Sequence, residues 1–256
     1  MLREVRAGDD MPDFKAELDY AYELVRRRFR IDFAKPEFSV FSSDDFIDKV
    51  RQPKSMKDFF EPIPNMFIDN KDHLMVVYDQ KQPSKDYELI YSFMHELGHF
   101  WEFRLNRELT SDNVFSIIDY HHPQREKGVV LFAFSEGIAE LIAQESSMIS
   151  ESASLKQFSS DHGKERQDGL DDFLKHELDL LAYVYKSDRE NESELLLKFM
   201  KKNNGLTLEV NAHVFGYDFA LRHKDLSVRK MIMHPPHTYS DFFLPEAYRQ
   251  KLSKLS

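Results

Sequence analysis

Two stretches of the chain carry apolar residues at helical spacing and predict long helices. In residues 87–105 the apolar positions recur every three to four residues, which places them on one helix face. Residues 129–143 form a nearly continuous apolar run that contains Glu136 and Glu140. A third pattern, over residues 14–29, predicts an amphipathic helix near the start of the chain. Acidic side chains are costly to bury without a partner, so the two glutamates of the apolar run need one.

Short apolar runs between residues 30 and 80 predict strands. Residues 63–79 predict a β-hairpin, because the runs 66–68 and 74–78 are separated by the turn-rich tetrad 69–72. Residues 38–41 predict one further strand, and residues 44–51 predict a short helix.

The second half of the chain is predicted to be largely helical. Helical patterns, with Gly205 marking a break, cover residues 170–186, 192–202 and 207–223. Residues 106–128 are polar and mixed, and a loop is predicted within them at His121-His122-Pro123. A connecting loop is predicted for the polar stretch 150–168, and irregular structure for the proline- and aromatic-rich segment 231–248.

These patterns predict an α+β protein that is mainly helical. A small antiparallel hairpin is expected to pack on the helix over residues 87–105, and the C-terminal half is expected to be helical. A chain of 256 residues can bury a full core as one domain. We therefore predict a single domain over residues 1–256, with an N-terminal lobe at 1–105 and a helical lobe at 106–256.

The sequence His95-Glu96-Leu97-Gly98-His99 lies inside the helix predicted over residues 87–105. Residues four apart share a helix face, so both imidazoles can reach one metal ion. Glu96 lies about 100° round the same turn, where its carboxylate can accept a proton from a water molecule without binding the metal. Two neutral nitrogens and a neighbouring base are what a zinc hydrolase requires. The alternative interpretation is an accidental match, in which the histidines are ordinary partly buried helix residues.

A catalytic zinc site takes three protein ligands and keeps an open position. The chain contains no cysteine, and Glu102 and Leu105 stand where a metzincin needs glycine and histidine. A carboxylate from the second helix remains, and Glu136, 37 residues beyond His99, is the best candidate. Glu140 lies one turn further on, where it can replace Glu136 or hold a ligand histidine through a hydrogen bond.

Between about residues 66 and 143 the chain resembles gluzincin-type zinc metallopeptidases. Members of that group carry HExxH on one helix and a glutamate on a following helix, often in a stretch similar to residues 136–140 here. The resemblance implies a zincin-like fold and one Zn²⁺ per chain, with Glu96 as general base. It also implies that the zinc ligands are His95, His99 and Glu136.

In metallopeptidases of this type, an edge strand before the motif helix pairs with extended peptide substrate. The strand predicted at 74–78 occupies the corresponding position, so the resemblance assigns Met75, Val76 and Val77 to substrate binding by β-augmentation. The alternative is an ordinary core hairpin.

A weaker similarity reaches the C-terminus. A group of mostly uncharacterised prokaryotic HExxH proteins has a Tyr-Pro-x-Gly helix and a proline-rich tail that closes on Pro-Glu-x-Tyr. This chain has Pro235-Pro236-His237-Thr238, Pro245-Glu246-Ala247-Tyr248 and Gly216 in a similar helix. His213 stands where a tyrosine is expected, and Leu244 replaces a histidine.

A peptidase site also needs a donor for the oxyanion of the transition state. The favoured candidates flank Gly216 and are His213 and Tyr217. Further candidates are His223, His234 and His237. The predicted function is hydrolysis of peptide bonds by a zinc metallopeptidase. The rival interpretations are a non-catalytic regulatory or interaction protein that retains the fold, and hydrolysis of a non-peptide amide.

The composition of the chain argues against some classes of binding partner. A formal net charge of −10 argues against nucleic acid or an anionic membrane surface as the main partner. No apolar run approaches the roughly 18 residues of a membrane span, and the absence of cysteine fits a reducing compartment. We therefore expect a cytoplasmic protein that acts on a peptide or protein substrate. The oligomeric state does not follow from the sequence.

Overall fold

A computed structural model describes residues 14–31, 33–42, 66–68, 73–78, 85–185 and 192–254. The helix predicted at 44–51 and the turn tetrad 69–72 lie outside these residues. The described chain is mainly helical, as predicted, and it clusters into two compact units. The first unit comprises Met1–Phe100 with Ile142–Ser159, and the second comprises Trp101–Leu141 with Ser160–Ser256.

The first unit contains helix α1 and a three-stranded sheet. Helix α1 spans Lys15–Phe29, and the strands are β1 (Glu37–Ser42), β2 (Met66–Ile68) and β3 (His73–Tyr78). Strands β2 and β3 pair antiparallel, with Met66 opposite Val76, which confirms the predicted hairpin strands. Strand β1 confirms the strand predicted at 38–41. Along α1, arginine side chains pair with acids, as in Arg26 with Glu23.

The sheet differs from the prediction in its order, which is β1-β3-β2. Strand β1 pairs parallel with β3 over its whole length, so the sheet is mixed and not antiparallel. Strand β3 is therefore central, and the expectation of an edge strand at 74–78 is wrong. At Met75 and Val76 both backbone edges are already paired, and Val77 pairs with Phe41 of β1. Val76 is 1% exposed. Its burial agrees with the alternative interpretation, in which these strands form an ordinary core hairpin.

Helix α2 (Asp86–Leu105) contains the HExxH sequence, as predicted. Its start is fixed where the backbone N–H of Lys85 donates to Glu88 Oε2 at 3.0 Å, which satisfies one of the free amides of the first turn. Its apolar stripe is buried and includes Phe93, Met94, Leu97 and Phe100.

A short 3₁₀ helix (Arg107–Leu109) and helix α3 (Ser111–Ile117) follow α2 within the polar, mixed stretch, for which the sequence predicted no helix. Residues 118–124, which include the predicted loop, then lead to helix α4 (Arg125–Met148). Helix α4 confirms the helix predicted from the apolar run 129–143. Nearly all side chains from Val129 to Ala143 are buried or half-buried.

Helix α5 (Ala153–Tyr185) corrects the predicted loop at 150–168. Its buried positions in this stretch are Leu155, Ser159 and Gly163, which recur every four residues. Two of the three are small and not apolar, so the stripe they form on one helix face is invisible to a hydrophobic pattern. The remaining residues of the stretch include Lys, Glu, Gln and Arg, which favour helix, and none is proline.

The C-terminal part contains six further helices among the described residues. These are α6 (Glu192–Lys202), α7 (Leu206–Val210), α8 (Ala212–Arg222), α9 (Val228–Met233), α10 (Tyr239–Phe243) and α11 (Pro245–Ser253). The single helix predicted at 207–223 is interrupted at Asn211, and Gly205 takes the left-handed conformation with φ 77°.

The segment predicted to be irregular at 231–248 is largely helical instead. Pro245 occupies the first turn of α11, where proline has no amide bond to lose. Thr238 caps α10 by accepting a hydrogen bond from the backbone N–H of Asp241 at 3.1 Å. The residues that suggested irregular structure therefore start helices.

Within the residues described above, no helix is both long enough and apolar enough to cross a bilayer.

Candidate metal centre

Helix α2 turns the two motif histidines toward each other. His95 Nε2 and His99 Nε2 are 3.2 Å apart, and the rings meet nearly at right angles. His99 is 9% exposed, while His95 and Glu96 are half-buried. Two nitrogens bound to one tetrahedral zinc at about 2.0–2.1 Å would be about 3.3–3.4 Å apart. The separation in the structure therefore suits a shared ion.

Helix α4 adds a carboxylate to this pair. One ligand atom from each of His95, His99 and Glu136 lies within 4.8 Å of the other two. In the described part of the chain, this is the group of His, Asp and Glu side chains that fits a metal ion. Two imidazole nitrogens and a carboxylate oxygen are a donor set that zinc and other divalent transition metals accept. The structure thus brings together the three ligands that were predicted.

A close helix crossing places His213 beside Glu136. A Cβ atom built on Gly137 of α4 would lie 1.9 Å from the carbonyl oxygen of Gly216 of α8. A Cβ atom on Gly216 would lie 1.9 Å from the carbonyl oxygen of Ala133. The two backbones therefore touch, which only glycine allows. One turn before Gly216, His213 Nδ1 lies 3.3 Å from Glu136 Oε2, and the His213 side chain is 45% exposed.

Glu140 lies outside the three-residue ligand group. Its Oε1 atom lies 3.1 Å from Nε2 of His162 on α5, and its side chain is 2% exposed. Sequence reasoning missed His162 because the surrounding segment was predicted to be a loop. A role for Glu140 as the partner of a ligand histidine remains a prediction.

A second buried acid, Glu102, was also missed. It lies on α2 three residues after His99 and is fully buried, and the hydroxyl of Ser135 donates a short hydrogen bond to it. Ser135 directly precedes Glu136, so this contact fixes the α4 backbone beside the proposed ligand. The sequence did contain a signal for Glu102, because a glutamate three residues after His99 lies on a similar face of the helix.

The other candidate donors lie in varied surroundings. Tyr217, one turn after His213 on α8, is buried. His237 Nε2 lies 3.0 Å from Glu108 Oε2. Burial lowers the pKa of His237, and Lys251 and Lys127 lower it further. His234 directly follows α9, and its carbonyl accepts a hydrogen bond from the hydroxyl of Tyr248.

His223 follows the end of α8 and is fully buried. Its ring centroid lies 4.6 Å from that of Phe219 and 5.0 Å from that of Tyr248. Among the described residues, neither ring nitrogen has a hydrogen-bond partner. Burial lowers its pKa to about 4, and Arg222 and Arg249 add to this shift. This surrounding is that of a neutral core histidine.

Compared with models of known protein families, with curated proteins and with solved structures, the chain matches none.

Proposed function

We propose that this chain is a zinc-dependent metallopeptidase of the gluzincin type, with a zincin-like arrangement of its sheet and helices. In this proposal His95, His99 and Glu136 hold one zinc ion. The observation that carries it is the meeting of these three ligand atoms within 4.8 Å of one another. A chance HExxH sequence would not be expected to find a carboxylate on another helix at this distance.

The residues around the ligands supply the remaining parts of a hydrolase. Zinc bound there would lower the pKa of a water molecule toward about 7 and polarise a substrate carbonyl. Glu96 follows the first ligand histidine and is half-buried, so its carboxylate can take the proton from the attacking water. Glu96 then passes that proton to the leaving amine. A purely structural metal site has no use for such a base.

His213 is the best-placed donor for the oxyanion. It is substantially exposed, and it lies beside Glu136 without belonging to the ligand group. An imidazole N–H at this position can donate a hydrogen bond to a substrate oxygen. Tyr217 lies one turn further along α8 and is buried. Its proposed role is to support the position of His213.

Metal content and hydrolysis together test the proposal. Purified wild type, His95→Ala and Glu96→Gln should be assayed for bound zinc, iron, manganese and nickel, and for cleavage of a quenched-fluorescent peptide library. We expect about one zinc per chain in the wild type and none in His95→Ala. Glu96→Gln should keep its zinc and lose at least about 100-fold in kcat, the lower range for loss of a general base.

Two results would contradict the proposal. Absence of tightly bound metal in the wild type, after reconstitution with zinc, would remove the centre. Equal biological activity of wild type and Glu96→Gln, with zinc bound in both, would support a non-catalytic regulator instead.

A further inference from the structure

Three residues spaced four apart form a row along helix α4, namely Gly128, Phe132 and Glu136. Residues at this spacing lie one above the other on a helix face, separated by about 6 Å along the axis. Helical side chains also lean toward the N-terminus of their helix, so Glu136 leans toward the turn that carries Phe132. The proposed ligand therefore has an aromatic side chain as its neighbour on that side.

Helix α3 is held against the same row. A Cβ atom on Gly128 would lie 2.9 Å from the backbone carbonyl carbon of Ile117, so the end of α3 approaches α4 as closely as backbone allows. The buried guanidinium of Arg125 donates a hydrogen bond to the carbonyl of Ile118, just after α3. Both contacts are made by backbone atoms at or just after the end of α3. They therefore hold α3 against α4 without depending on the side chains in the rest of the helix.

The held helix presents Phe115 to Phe132. The two ring centroids are 5.8 Å apart and the rings are tilted by 48°. Phe132 is half-buried, whereas Phe115 is 57% exposed. A scattered exposed apolar residue needs no explanation. Here the exposed ring forms a pair with the residue one turn from a proposed metal ligand, and the backbone of its helix is fixed in place.

We propose that Phe115 and Phe132 form the subsite that selects a bulky apolar side chain of the peptide substrate, next to the cleaved bond. This inference rests on the proposed function, which supplies the cleavage of the peptide bond. The inference itself concerns how the substrate side chain is recognised. An extended peptide advances about 3.3–3.6 Å per residue. A side chain that contacts Phe132 therefore belongs to a residue within about two positions of a carbonyl held beside Glu136. Two aromatic rings favour an aromatic or branched aliphatic side chain over a small or charged one.

Matched peptides test this subsite. Two peptide series share one background and differ only in carrying Phe or Ala at a single position, which is moved along the peptide. Wild type, Phe115→Ala, Phe132→Leu and the control Val210→Ala are loaded with zinc and assayed for kcat/KM. Val210 is an exposed apolar residue of α7 and does not belong to the proposed subsite. The zinc content of each variant shows that its centre is intact.

We expect the wild type to prefer the Phe peptide by about tenfold or more. The preference should largely disappear in Phe115→Ala, weaken in Phe132→Leu and persist in Val210→Ala, with zinc retained throughout. A preference that is absent from the wild type, or unchanged in Phe115→Ala, would overturn the inference while leaving peptide hydrolysis intact.

Peptide binding separates this inference from the proposed reaction. Zinc-loaded Glu96→Gln protein is titrated with fluorescent Phe and Ala peptides, with and without Phe115→Ala. Tighter binding of the Phe peptide that is lost in the double variant supports the subsite even if the wild type cleaves nothing. Equal binding of both peptides overturns it.

Discussion

Glu136 and Glu140 lie one turn apart on α4, and each meets a histidine of another helix. Glu136 Oε2 lies 3.3 Å from His213 Nδ1, and Glu140 Oε1 lies 3.1 Å from His162 Nε2. The pairs differ in access: 14% of the Glu136 side chain is exposed, against 2% for Glu140. Two pairs of the same chemistry are thus suited to different tasks. In the proposed function the open pair admits a metal and a substrate, whereas the enclosed pair joins α4 to α5.

The largest expected effect is a difference in zinc affinity between variants of the two glutamates. Glu136→Ala removes a proposed ligand, so zinc affinity should fall by well over about 100-fold, the upper range for a group that only orients a ligand. Glu140→Gln should lower it by at most about tenfold. Chelator competition measures both values. A greater loss of zinc in Glu140→Gln than in Glu136→Ala would reverse the assignment of the ligand.

The next effect concerns the crossing that brings His213 to Glu136. Gly216→Ala places a methyl group 1.9 Å from the carbonyl oxygen of Ala133, which forces α8 away from α4. Overpacking of this kind costs about 3 kcal/mol of unfolding free energy. Urea unfolding measures the loss, and zinc binding should weaken with it.

Gly169→Ala on α5 is the matched control. Its new Cβ atom would lie 3.9 Å from Val214 Cγ2, an ordinary contact. Since alanine favours helix more than glycine, this variant should be stabilised by up to about 1 kcal/mol. Equal stability of the two alanine variants would contradict the close crossing.

His223 shows how burial affects a histidine whose ring nitrogens have no hydrogen-bond partner among the described residues. Burial lowers its folded-state pKa from 6.5 to about 4, so the unfolded chain binds the proton more tightly. The contribution of His223 to stability is complete above pH 6.5 and is lost as the pH falls to about 4. The loss reaches up to about 3 kcal/mol.

His223→Phe tests this pH dependence. The phenylalanine keeps a ring between Phe219 and Tyr248 but cannot titrate. The difference in unfolding free energy between variant and wild type should therefore move in favour of the variant between pH 6.5 and pH 4. A constant difference across this interval would show that His223 does not carry the effect.

The smallest expected effect is a difference in zinc affinity between variants of the two histidines that pair with these glutamates. His213→Ala removes the neighbour of a proposed ligand and should weaken zinc binding by about tenfold, whereas His162→Ala should leave it within about twofold. Isothermal titration with zinc measures both. Equal losses in the two variants would show that the pairs do not differ in function.

The ligand helices could be predicted from sequence because their signals are local. HExxH fixes two donors on one turn of α2, and an acid inside the apolar run of α4 identifies Glu136 as needing a partner. Helix α5 could not be predicted in full, because its buried positions include Ser159 and Gly163. A pattern of apolar residues does not detect a stripe of small ones.

Features that depend on distant parts of the chain were missed. Strand β1 joins β3 from a segment more than 30 residues away in sequence, so its parallel pairing, which makes β3 central, has no local signature. His162 was missed because its segment was predicted to be a loop, and its contact with Glu140 also depends on how α4 and α5 pack. His213 was found only through its place near Gly216.

The contact between Gly137 and Gly216 has a practical consequence for protein engineers. A graft of residues 95–99 and 136 onto two foreign helices would transfer the donor atoms but not the spacing that backbone contact enforces. A faithful transplant must include residues 212–217 and preserve both glycines. For the same reason, a search for unrelated chains with this architecture gains discrimination by requiring small residues at both positions in addition to the histidine motif.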